Sequence, residues 1–124
     1  MKTKGFIGLG VMGFPMAGHI SNAYPTAVYN RSDSKTADWI NTYPGKVAAS
    51  PEELGVSSDE IFICIGNDDD VREVISGKKG ILNSMQAGGI IVDHTTTSSL
   101  LANEMSKLCL ESDIHYIDAP VSGG

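Results

Sequence analysis

Short apolar runs alternate with stretches of helical spacing along this whole chain, and no other feature restricts the fold as much. The runs are GFIGL at 5–9, TAVYN at 26–30, EIFICIG at 60–66, GGIIVDH at 88–94 and IHYIDAP at 114–120. The third and fourth are nearly continuous in apolar residues, the pattern of strands buried on both faces. Between the runs the spacing turns helical. Residues 11–22 place Met12, Met16 and Ile20 four apart on one face, with Pro15 in the first turn, where its missing N–H leaves nothing unpaired. Residues 32–43 suit a second helix with Ser32 as cap and Ala37, Ile40 and Asn41 within turn distance. SPEEL at 50–54 is a capping box, with Ser50 as cap, Pro51 at the first helical position and Glu53 three residues after the cap. Asp68, Asp69 and Asp70 suit the first turn of a helix that carries Val71, Val74 and Ile75, and residues 97–112 suit another with Leu101, Met105, Leu108 and Cys109 inward. Strands joined by helices pair in parallel. The expected fold is α/β, a doubly wound parallel sheet in one domain.

Glycine is over-represented in the chain, 14 of 124 residues against an average near 7%. Three of the glycines form Gly8-Leu9-Gly10-Val11-Met12-Gly13, a GxGxxG between the first expected strand and the first expected helix. In that context each glycine has a role. Gly8 allows the tight turn, Gly10 leaves room for a pyrophosphate against the backbone, and Gly13 lets helix and strand pack closely. The helix N-terminus then offers free N–H groups and a partial positive charge to the phosphates. A glycine-rich turn without a ligand is the competing reading.

The end of the second strand bears on which dinucleotide is held. A cofactor without a 2′-phosphate is usually met there by Asp or Glu. This chain has Asn30 and then Arg31, with Ser32 next and Lys35 a helical turn past Arg31. An amide and a guanidinium suit a dianionic phosphate, which a carboxylate would repel. The expected cofactor is therefore NADP(H), with NAD less favoured. The alternative leaves Arg31 and Lys35 as solvated surface charges.

The remaining totals mostly exclude. A net charge of −6 argues against nucleic acid and against an anionic membrane surface. No apolar run approaches the ~20 residues of a membrane span, and the start of the chain lacks the form of a signal peptide. Cys64 and Cys109 make neither a disulfide framework nor a CxxC, so both read as buried thiols in a reducing cytoplasm. His19 and His115 have no partner at ligand spacing, and no metal site is expected. Asp118 reads as a strand-end acceptor rather than a general base, and His94 as a hydrogen-bonded loop histidine. The acidic run at 68–70 needs no cation to explain it.

The blocks GFIGLGVMGFPMAGHI, YNRSDSK, CIGNDDDVREVI, VDHTTTS and IDAPVSGG resemble, in this order, the cofactor domain of the β-hydroxyacid dehydrogenases, the family of 3-hydroxyisobutyrate dehydrogenase. The resemblance covers nearly the whole chain and implies a Rossmann-type domain. Carried over by position, it implies that Gly8 through Gly13 (Leu9, Gly10, Val11 and Met12 included) line the pyrophosphate. Asn30, Arg31, Ser32 and Lys35 would hold the adenosine 2′-phosphate. Ile65, Gly66 and Asn67 would lie along the ribose, Val71 near the adenine, and Thr96 near the nicotinamide. Ser122, Gly123 and Gly124 would bind the carboxylate of a small hydroxy acid or semialdehyde.

Family members continue past DAPVSGG into a helix with a catalytic lysine and an all-helical domain that closes the cleft and forms the dimer. None of the seven lysines here (2, 4, 35, 46, 78, 79 and 107) matches that motif. Residues 1–124 therefore read as a cofactor domain cut off before the helical domain. Catalytic residues are absent from it, and homo-oligomers are expected only of the intact enzyme. A non-catalytic nucleotide-sensing or interaction module of the same fold is the alternative.

Overall fold

A computed structural model describes residues 3–121. Six strands form one parallel sheet, β1 (Thr3–Ile7), β2 (Thr26–Tyr29), β3 (Lys46–Val47), β4 (Ser58–Ile63), β5 (Ile90–Asp93) and β6 (His115–Asp118), in the order β3-β2-β1-β4-β5-β6. Five helices connect them: α1 (Gly13–Ala23), α2 (Asp33–Thr42), α3 (Pro51–Ser57), α4 (Asp68–Ser76) and α5 (Ser99–Glu111), with a 3₁₀ turn at Ile81–Asn83. The chain winds outward from β1 to β3, then returns to the other side of β1 with β4. The order therefore reverses between β1 and β4, which opens a crevice at the C-terminal ends of those strands.

Register sends alternate side chains to opposite faces. Ile7 and Ile63 pair across β1 and β4, and with Ile61 and Ile91 they pack beneath Leu54, Val71, Ile75, Leu101 and Met105 of α3, α4 and α5. On the other face Phe6 and Val28 pack with Ala17 of α1 and Trp39 of α2. The row Val28–Phe6–Phe62–Val92–Ile117 runs across that second face. Val28 and Phe6 are wholly buried, Phe62 and Val92 half-buried, and Ile117 is 47% exposed. The covering helices lie over the β1–β3 half.

Two expected helix faces are corrected. In α1 the buried stripe is Gly13, Ala17, Gly18 and Ser21, while Met12, Met16 and Ile20 lie half-buried beside it. Small side chains let this helix approach the sheet closely, so the larger residues form its flanks. In α2 the inward residues are Thr36 and Trp39, and Ala37, Ile40 and Asn41 are exposed. One fully buried indole outweighs three smaller groups in setting the helix's rotation. Leu108 is half-buried, whereas Leu101, Met105 and Cys109 of α5 are buried as expected.

Local signals hold at other termini. Ser50 accepts the N–H of Glu53 at 3.2 Å with Pro51 at the first helical position, and Asp68, Asp69 and Asp70 occupy the first turn of α4. Ser32 is at the N-cap of α2, yet its hydroxyl pairs with that of Ser34 rather than with a backbone N–H. β3 was not expected: two exposed residues carry no hydrophobic pattern. Among the described residues no helix is long and apolar enough to cross a membrane.

Trp39 is wholly buried, packs against Tyr43 with the rings tilted and their centroids 5.7 Å apart, and lies where a Cβ on Gly45 would meet it at 2.7 Å. Trp39→Ala is expected to lower stability by about 3–5 kcal/mol. Urea unfolding checks this as a fall in midpoint at unchanged m-value.

Candidate functional site

The crevice at the C-terminal ends of β1, β2 and β4 widens into a cleft of about 1190 Å³, at or above the ~300–1,000 Å³ usual for ligand sites. Its floor is the glycine loop. Gly8 has φ +103°, and a Cβ there would lie 2.0 Å from the Cys64 carbonyl oxygen, so a side chain is excluded twice over. A Cβ on Gly13 would lie 1.9 Å from the Gly8 carbonyl oxygen, which measures how closely α1 enters against β1. Gly10 is different: a Cβ there would meet no protein atom within 4 Å. Packing does not require glycine at this position, which lines the open cleft.

The N-terminus of α1 is chemically open. α3, α4 and α5 cap themselves with Ser50, Asn67 and Ser98, whose side chains accept from the N–H groups of Glu53, Asp70 and Leu101. α1 has no side-chain cap and no acidic residue in its first turn. The Phe14 N–H bonds the Gly10 carbonyl at 3.0 Å, the Met16 N–H bonds the Met12 carbonyl at 3.3 Å, and Pro15 has no N–H. The N–H groups of Gly10 to Gly13 and the helix dipole are what remain for an external anion. The pieces fit a dinucleotide: room at Gly10, an uncapped helix start, and a long cleft leading from it toward β2.

Asn30 follows β2 and uses its amide internally. Its Oδ1 accepts the Leu9 N–H at 2.9 Å, and its Nδ2 donates to the Ser32 carbonyl at 3.2 Å. It therefore ties the glycine loop to the turn that presents Arg31 and Ser32. Arg31 crosses the cleft to Asp70 on α4, Nη2 to Oδ1 at 2.8 Å. Asp70 beside it holds the Arg31 guanidinium above its usual pKa.

Of the residues singled out by sequence, Gly8, Gly10, Val11, Met12, Gly13, Asn30, Arg31, Ser32, Ile65 and Gly66 line this cleft. Leu9 does not: its side chain is 1% exposed in the core beside Phe6. Val71 is likewise fully buried against the sheet, and Val74, one helical turn on, lines the cleft in its place. Lys35 is exposed and outside the lining. Asn67 caps α4 and, with Thr96, borders a smaller neighbouring hollow of about 480 Å³ that shares Gly66. Ser122, Gly123 and Gly124 lie outside the described residues. Cys64 is half-buried on the cleft wall rather than sunk in the core, because β4 ends one residue earlier. Burial still raises its thiol pKa, with Asp93 adding to the effect.

Asp70, expected only as a helix-start carboxylate, also lines the cleft, and Glu73, Lys78 and Lys79 in the lining and the buried Asp93 carried no expectation from sequence. Asp93 is wholly buried at the end of β5, accepting from Tyr116 Oη at 2.6 Å and from the Thr95 N–H at 2.9 Å. Thr95 in turn accepts the Ile65 N–H at 3.0 Å. This chain of bonds holds the β4–α4 loop, which forms the cleft wall, to the end of β5. His94 stacks on Phe62 at 6.1 Å and pairs through Nδ1 with the Ala119 carbonyl at 2.8 Å, a loop-fixing role. Asp118 is exposed.

A doubly wound sheet with a glycine loop at an uncapped helix start defines a dinucleotide-binding domain of the Rossmann type. The model of the NAD binding domain of 6-phosphogluconate dehydrogenase matches residues 3–124, and the chain belongs to that family. An oxidoreductase of Shewanella frigidimarina is 47% identical over all of this chain and 43% of its own length. The mitochondrial 3-hydroxyisobutyrate dehydrogenase of Mus musculus is 33% identical over 97% of this chain and 36% of its own. Among solved structures, the 3-hydroxyisobutyrate dehydrogenase of Mycobacterium tuberculosis with L-serine superposes with a TM-score of 0.88 at 25% identity, covering 100% of this chain and 42% of that one. A structure of Psf3 in complex with NADP+ and 2-OPP gives 0.89 at 29% identity, covering 98% and 43%. The chain thus spans about two-fifths of the length of relatives that are dehydrogenases and oxidoreductases.

Two expectations follow from the geometry. Gly10→Val leaves the melting temperature near the parent's and removes dinucleotide binding, whereas Gly8→Ala lowers the melting temperature; equal melting losses for both would contradict these assignments. For Asp93, burial raises the carboxyl pKa above the ordinary 3.8, outweighing the bonds from Tyr116 and Thr95 that lower it. A group that holds its proton more tightly when folded stabilises fully below its unfolded value and loses that contribution as pH rises through the folded one. Asp93→Asn, which keeps an acceptor for Thr95, should therefore gain in stability relative to the parent between about pH 4 and about pH 7. Urea unfolding at both pH values measures the difference.

Proposed function

We propose that residues 1–124 form the NADP-binding domain of an oxidoreductase of the 3-hydroxyisobutyrate dehydrogenase type. The reaction is hydride transfer between NADP(H) and a small hydroxy acid or semialdehyde. The observation that carries the cofactor preference is the end of β2. Asn30 stands where a carboxylate would meet a free 2′-hydroxyl, and its amide presents Arg31 and Ser32 to the cleft. Psf3 in complex with NADP+, 29% identical with a TM-score of 0.89, supports the reading.

When bound, the nicotinamide supplies or accepts the hydride. The uncapped first turn of α1 takes the pyrophosphate, with Gly10 giving it room, and Arg31 with Ser32 takes the 2′-phosphate. Asn30 and the Asp93–Thr95–Ile65 bonds hold the two loops that face the ligand. The substrate carboxylate is assigned, from sequence alone, to Ser122, Gly123 and Gly124. The proton for the forming alkoxide comes from the lysine that the family resemblance places beyond residue 124, together with the helical domain and the dimer contact. Residues 1–124 alone then bind NADPH and turn nothing over.

The test is calorimetric titration with NADPH and NADH. A charge-assisted contact is worth about 1.5–3 kcal/mol, so Arg31→Ala should weaken NADPH by roughly tenfold or more and leave NADH nearly unchanged. Equal losses for both cofactors would remove the preference, and NADPH oxidation by the 124-residue chain with succinic semialdehyde would place the proton donor within it.

A further inference from the structure

Arg31 and Asp70 are 39 residues apart and lie on opposite walls of the cleft. Arg31 leaves the turn after β2, while Asp70 belongs to the first turn of α4, after β4. Because β1 lies between β2 and β4, their 2.8 Å bond spans the end of β1 and crosses the crevice where strand order reverses. The guanidinium is the more exposed partner, with a side chain 77% exposed against 27% for Asp70. Asp70 is held. Its N–H is bound by Asn67 Oδ1 at 3.0 Å, and its carboxylate lies over Gly66, where a side chain in place of hydrogen would crowd it.

Helix-dipole chemistry accounts for an acid at this position but not for its partner. Three successive acids share the first turn, and each is paired differently. Asp68 takes the Ser98 N–H and hydroxyl, Asp69 takes Arg72, and Asp70 alone reaches into the cleft. It does so against the one cationic group at the end of β2. A bound 2′-phosphate and Asp70 would therefore compete for the same guanidinium, and the carboxylate would repel the phosphate as well.

We propose that Asp70 is a specificity-determining residue: it holds Arg31 across the adenosine end of the cleft and releases it only to a 2′-phosphate. The inference rests on the assignment of Arg31 to that phosphate. Asp70 thereby weakens binding of the phosphorylated cofactor and leaves the unphosphorylated one nearly untouched, because an adenosine with a free 2′-hydroxyl has no charge with which to displace the pair. Glu73, Lys78 and Lys79 line the same cleft and set its background charge, which the substitution leaves in place.

The experiment is calorimetry on the 124-residue chain with adenosine 2′,5′-bisphosphate and with AMP, which report on this end of the cleft without the nicotinamide. The variants are Asp70→Asn, Arg31→Ala and the double mutant. Asp70→Asn should tighten the bisphosphate about two- to fivefold, the range an exposed ion pair spans, with AMP unchanged. In the Arg31→Ala background the gain should shrink to the part that direct repulsion between Asp70 and the phosphate supplies, since no guanidinium remains to release. AMP binding by each variant also confirms that it is folded. If Asp70→Asn leaves the bisphosphate unchanged, weakens it, or tightens AMP equally, the exchange is wrong. If Arg31→Ala weakens bisphosphate and AMP alike, the 2′-phosphate assignment itself fails, which separates the two ideas.

Discussion

The close approach of α1 to β1 is the constraint from which the site follows. Gly13 is packed against the Gly8 carbonyl with no space for a methyl group, and Gly8 adopts a backbone conformation that side chains disfavour. Together they deliver the start of α1 to the C-terminal edge of the sheet, at the point where strand order reverses. A helix placed there with no cap of its own presents donors to the cleft. A side chain at either glycine would meet backbone atoms and break the close seat of α1 against β1.

The second wall is held by polar bonds instead of by contact. Asn30 joins the glycine loop to the β2–α2 turn, and Asp93 joins the β5 end to the β4–α4 loop through Thr95. Burying Asp93 costs ionisation energy that its hydrogen bonds offset only in part. An apolar residue there would avoid that cost but would leave Tyr116 Oη and the Thr95 N–H without partners. The fold accepts a costly carboxylate in order to fix a loop. Rigid loops on a rigid sheet are what a ligand-binding crevice needs.

Much of this was legible in the sequence because the constraints act on the backbone or on a strand's two faces. Gly8, Gly10 and Gly13 mark the turn, and the continuous apolar runs at 60–66 and 88–94 mark strands. Each strand buries only one face fully, with Phe62 and Val92 half-buried on the other. The cap Ser50 and the first-turn acids Asp68–Asp70 marked helix starts. The helix faces were less legible. A stripe of Gly13, Ala17 and Gly18 is weakly hydrophobic, so Met12, Met16 and Ile20 drew the reading to the flank. Trp39 set the rotation of α2 by its size, which spacing alone does not weigh. β3 has two exposed residues and is defined only by its pairing with β2. The Arg31–Asp70 and Asp93–Tyr116 pairs join residues 39 and 23 apart, and no local pattern announces them.

The central claim is that the uncapped start of α1 receives the pyrophosphate of a dinucleotide lying across the cleft toward β2. An amide NMR titration of the 124-residue chain with NADPH tests it directly. The account predicts the largest shifts at Gly10 to Phe14, with further shifts at Arg31, Ser32, Ile65 and Gly66, and little change at the far ends of the strands near Lys4 and Ser58. Saturable shifts confined to other surfaces, with the amides of Gly10 to Phe14 unmoved, would contradict it.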